Sequence, residues 1–75
     1  MSSAADLRVL RKEISRLERA MEKVDEKERA LHEKLTAVAT DFSRAAELDA
    51  QLTALIATKE ELEAAWLTAV AQVEG

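Results

Sequence analysis

The chain has 75 residues, no Pro, no Cys, a single Gly at its last position, 35% charged residues and a net charge of −4. Two domains are excluded at this length and a compact core would be marginal. With no Cys there are no disulfides and no thiolate metal sites, no apolar run approaches the ~18 residues of a membrane span, and the opening MSSAADLRVLRKE lacks the apolar core of a signal peptide.

A chain rich in Ala, Glu, Leu, Lys and Arg and without breakers reads as long helix or coiled coil. The expectation is a soluble, cytoplasmic, all-α piece. In the first half an apolar residue recurs at alternating steps of three and four: Leu7, Leu10, Ile14, Leu17, Met21, Val24, then Leu31, Leu35 and Val38, with only Glu28 breaking the series. This is the a/d pattern of a coiled coil, a narrow seam that needs one partner helix. It predicts a first helix over about residues 5–38.

The register then slips. Continued unbroken, it would place Asp49, Lys59 and Glu63 in the seam and expel Leu48, Leu55 and Leu62. Burying unpaired charges is too costly for that. A second seam, offset by three extra residues, runs Ala45, Leu48, Leu52, Leu55, then Leu62, Trp66, Ala69 and Val73, interrupted only by Lys59. The reset falls on residues 39–44, where Thr, Asp and Ser are weak inside helices and good at their N-caps.

Asp41 or Ser43 caps a second helix over about residues 44–74, and Lys34 sits favourably for the dipole at the end of the first. Two seams of matching length joined by a short link at about residues 39–43 predict a two-helix antiparallel coiled-coil hairpin forming a single domain over residues 1–75. The rival is one continuous helix carrying a three-residue stammer. In the hairpin, facing residues have numbers that sum to about 83, with arms roughly 50 Å long at 1.5 Å per residue. That register brings Glu28 and Lys59, the two seam breaks, within a helical turn of each other as an ion pair. Phe42 is expected to plug the turn end of the seam, and Trp66 to lie in it.

The chain contains no catalytic constellation. One His and no Gly-rich loop leave no nucleophile, no phosphate cradle and no metal ligand set. His32 reads as a solvated residue flanking the seam, and Glu18, Glu22 and Glu26 as a solvated face. No cofactor is expected in this chain.

Charge is unevenly spread. Residues 1–38 hold nine Lys or Arg and eight Asp or Glu, whereas residues 39–75 hold two and seven. With Leu7 at position a, Arg8, Lys12, Arg16, Arg19 and Lys23 step by four, four, three and four along the outward face of the first helix. The stripe spans about 22 Å, and Arg11 lies beside it. Like charges at such spacing repel by a few tenths of a kcal/mol. Glu22 and Glu26 can partly neutralise Arg19 and Lys23, so Arg8, Lys12 and Arg16 are the expected strong part. These six cations are the candidate nucleic-acid contacts. Net acidity argues against tight binding by the isolated piece.

Two stretches carry a family resemblance. They are RKEISRLERAMEKVDEKERALHEKL and ATDFSRAAELDAQLTALIATKEELEAAWL, together with the aromatic in the connection and the lone Trp66. From about Ala5 to Leu67 the chain resembles the C-terminal coiled-coil domain of ABC-F (Uup-like) proteins, which are ATPases with two ATP-binding-cassette domains on one chain.

The resemblance implies an accessory arm that meets DNA or ribosomal RNA, in a protein associated with the ribosome and translation. It also implies ATP and Mg²⁺ chemistry in upstream domains, since no GxxxxGK[ST] occurs here. The arm would then be an excised piece, with its own ATPase domains as a further partner. Two other classes fit the same pattern: a purely structural coiled coil for intramolecular docking or homodimer formation, and the tRNA-binding helical arm of another enzyme.

Overall fold

The structure is a computed structural model and describes residues 3–75. It consists of two helices, α1 (Ala4–Ala37) and α2 (Phe42–Glu74), which pack against each other along their length. The long axis measures 56 Å and the other two 14 and 13 Å. A continuous helix of this chain would exceed about 100 Å, so the three-residue slip in the pattern is a reversal of the chain and not a stammer.

The reversal is made without glycine. Among the described residues no backbone φ is positive. The Val38 N–H is shared between the carbonyls of Lys34 (3.1 Å) and Leu35 (3.3 Å), which tightens the last turn of α1. Val38 itself sits at φ −114°, ψ 25°, in the bridge region open to ordinary residues. Its carbonyl then accepts from the Asp41 N–H at 2.9 Å. Asp41, and not Ser43, is the N-cap of α2: its Oδ1 accepts from the Arg44 N–H at 3.1 Å. With the cap at Asp41, α2 starts two residues before the predicted Arg44, and α1 ends at Ala37, one residue early.

Every predicted seam position is buried or half-buried, from Leu7 to Val38 and from Ala45 to Val73. Leu17 and Leu48 are the most deeply enclosed. Near the turn Leu31, Leu48 and Leu52 form one cluster, flanked by Leu35, Val38 and Leu55. The cluster holds Leu31 with Leu52 and Leu35 with Leu48, as a register summing to about 83 requires, and the Lys59–Asp25 contact falls one residue from that sum. Two helices can enclose only a line of residues between them, which is why full burial is confined to six side chains among the described residues.

Two expectations fail. Phe42 does not plug the seam; it is 84% exposed. As the first residue of α2 it falls at an e position, off the a/d line, and Leu35, Val38 and Leu48 already fill the turn end. The Glu28–Lys59 pair is also not formed. Lys59 Nζ lies 2.6 Å from Asp25 Oδ1 instead. Asp25 follows Val24, the residue that faces Lys59 in this register, and stands on the flank where a lysine leaving the seam emerges. Glu28 lies most of a turn further on. It acts on Lys59 only through its charge, adding to the hydrogen bond with Asp25 that raises the Lys59 pKa above its ordinary value.

Candidate nucleic-acid interface

The start of α1 is held by a capping interaction outside the seam. Ser3 Oγ accepts from the Asp6 N–H at 3.1 Å, and Asp6 Oδ2 accepts from the Ser3 N–H at 3.3 Å. This is a capping box, legible in the sequence as S-A-A-D before an apolar run. It closes two of the helix's unpaired donors and fixes the helix before Arg8, so the basic stripe begins on ordered backbone.

Arg8, Lys12, Arg16, Arg19 and Lys23 are all exposed on the outer side of α1, and Arg11 is exposed beside them at an e position. Their alignment follows from the seam: with Leu7, Leu10, Ile14 and Leu17 turned to α2, positions b, c and f must face away. Arg8, Arg11, Lys12, Arg16 and Arg19 border a shallow open groove along α1 that also includes Val9. Val9 is 67% exposed. It was not singled out by the charge pattern, because an apolar residue at a c position belongs to neither the seam nor the stripe.

The cations are not equivalent. Arg16 is clamped by Glu13, with its Nε donating to Oε2 at 2.9 Å and its Nη2 donating to Oε1. The hydrogen bond from Arg16 holds the Glu13 carboxyl below its ordinary pKa, and Glu13 in turn raises that of Arg16. Glu22 and Glu26 make no ion pair with Arg19 or Lys23, and no other member of the stripe has a carboxylate within ion-pairing distance among the described residues. Glu13, three residues before Arg16 and therefore on the same side of the helix, pairs with it. Arg8, Lys12, Arg19 and Lys23, with Arg11 beside them, have no carboxylate within ion-pairing distance among the described residues.

Elsewhere the chemistry is sparse. Among the described residues no group of His, Cys, Asp or Glu side chains is placed to hold a metal ion, and no helix is long and apolar enough to cross a membrane. His32 is exposed. Trp66 is half-buried in the seam, and its indole Nε1 is enclosed without a hydrogen-bond partner among the described residues.

Comparison of the chain with known protein families, with curated proteins and with solved structures finds no match.

Proposed function

We propose that the hairpin is a non-catalytic arm that contacts nucleic acid, DNA or ribosomal RNA, through the outer face of α1. The observation that carries this reading is the row of Arg8, Lys12, Arg19 and Lys23, exposed on one side of α1 and without carboxylate partners among the described residues. A row of cations about 22 Å long suits a phosphate backbone, which is read by position and charge and not by base identity. The residue pattern from about Ala5 to Leu67 supports an arm of the ABC-F kind. In that setting ATP and Mg²⁺ belong to cassette domains on the same protein.

Binding by the hairpin alone is weak and salt-dependent, because each neutralised phosphate contributes about 0.9 to the slope of log affinity against log salt on duplex DNA. The test is titration of the 75-residue chain with duplex DNA and with ribosomal RNA fragments at low salt. Changing Arg8, Lys12 and Arg19 to Glu abolishes binding and leaves the helical circular dichroism intact. The same reversal at Lys27, Arg29 and Lys34 has a smaller effect. Absence of binding by the unaltered chain, or binding that survives the triple reversal, refutes the reading and leaves a structural coiled coil.

A further inference from the structure

The two helices differ in a way the hairpin does not explain. A helix with one partner needs one apolar stripe. Helix α1 conforms, with charge on its outer sides. Helix α2 carries apolar residues nearly all round, and residues 50–58 and 64–73 contain no charge at all. Its b and e positions step by four and three in a second row beside the seam, whose uncharged members are Phe42, Ala46, Thr53, Ile56, Leu67 and Val70. Phe42 is 84%, Ile56 42% and Leu67 60% exposed. Next to this row, at the f positions, Ala50, Ala57, Ala64 and Ala71 recur every seven residues, all exposed. Small side chains at heptad spacing let another helix approach closely, and the row beside them supplies larger apolar anchors.

The charges on this face settle which helix fits. Asp49, Glu60, Glu63 and Glu74 are the charged members of the row, and no cation shares it. Among the described residues none of these four carboxylates is ion-paired. The two cations of α2 are both engaged elsewhere: Arg44 with Glu47 at 3.2 Å and Lys59 with Asp25 at 2.6 Å. A second copy laid α2 against α2 would oppose carboxylate rows, and like charges across a helix interface disfavour pairing. The outer face of α1 has cations but no apolar row to offer. A nucleic acid or an anionic membrane is repelled.

We propose that the b/e face of α2 is a docking surface for a cationic amphipathic helix of another protein, its apolar residues against Ile56 and Leu67 and its Lys or Arg residues toward Glu60 and Glu63. This is helix-in-groove recognition extended to a two-helix platform. It is independent of the basic stripe on α1, which lies on the other helix.

The probes are two synthetic peptides of about three heptads with the same Leu/Ala seam, one flanked by Lys and the other by Glu, titrated into the 75-residue chain by calorimetry and fluorescence anisotropy. The Lys-flanked peptide binds, weakens as salt is raised, and outcompetes the Glu-flanked one. Leu67→Gln together with Ile56→Gln weakens it by about tenfold or more, as loss of central apolar anchors does. These positions are outside the seam, so the circular dichroism of the hairpin is unchanged. Glu60→Lys with Glu63→Lys, which touches no apolar residue, reverses the preference between the peptides. Equal binding of both peptides, insensitivity to both double changes, or a concentration-dependent dimer lost on Leu67→Gln would each overturn the proposal, the last by assigning the face to a second copy.

Discussion

At the residue scale, two side chains in the seam are imperfectly accommodated, and each makes a prediction. Trp66 supplies the largest apolar surface near the open end, yet its Nε1–H is enclosed without an acceptor among the described residues. Leaving a buried donor unmet costs about 1–3 kcal/mol. Trp66→Phe removes that donor while keeping an aromatic ring, so it should change stability by less than about 1 kcal/mol, whereas Trp66→Ala should cost about 3 kcal/mol. Urea denaturation followed by circular dichroism measures both; a Phe variant as damaged as the Ala variant would mean that the indole finds an acceptor in solution. Lys59 is the second. Its hydrogen bond to Asp25 raises its pKa, so the folded chain holds that proton more tightly than the unfolded chain. The resulting stabilisation is complete below the ordinary lysine value of about 10.4 and is lost as pH rises through the raised folded value. The difference in melting temperature between the unaltered chain and Lys59→Met should be flat from neutral pH to about 10 and then shrink. The chain contains no Tyr and no Cys, so their titration cannot mask the effect.

At the scale of the elements, the helices were legible because every local signal agreed. The three–four spacing, the absence of Pro and internal Gly, and the acidic start and basic end of α1 all favour helix. The link was less legible. Both Asp41 and Ser43 are acceptable caps in sequence, and the choice depends on where the chain has room to reverse between Val38 and Ala45. Taking Asp41 as the cap moves Phe42 to the first helical position and turns it outward, which no periodicity of the flanking seams could reveal. The cap is testable. Asp41→Ala should cost about 1 kcal/mol, while Ser43→Ala, which removes a side chain that makes no capping bond, should be close to neutral by thermal melting. Equal losses would place the cap at both residues in solution. Thr58 and Thr68 in α2 donate to the carbonyls of Ala54 and Ala64 at 3.1 and 3.0 Å. Their hydroxyls are thereby turned to their own backbone.

For the whole molecule, the hairpin brings the first turns of α1 beside the last turns of α2. Spin labels at Arg8 and Gln72 should report a separation of about 20 Å, one interhelical spacing plus the label tethers; a continuous helix would hold them about 96 Å apart. The sequence by itself determined the helices and the slip of register between them, because an unbroken seam would add Asp49 and Glu63 to Lys59 and expel Leu48, Leu55 and Leu62. That the slip is a reversal and not a stammer was decided by the tertiary structure, whose long axis is 56 Å. The sequence also determined which cations face outward on α1, because the seam leaves them nowhere else to go. The partners of the charged groups were decided only by the tertiary structure. Glu13 takes Arg16, Glu22 and Glu26 take neither Arg19 nor Lys23 although they stand three residues beyond them, and Asp25 rather than Glu28 takes Lys59. Ion pairs between long side chains differ by only a few tenths of a kcal/mol, too little for spacing to rank, and small differences in where each side chain leaves the helix decide among them. The bare apolar row of α2 belongs to the same category: Ile56 and Leu67 read as ordinary members of an apolar helix until the single partner helix is in place and leaves them uncovered.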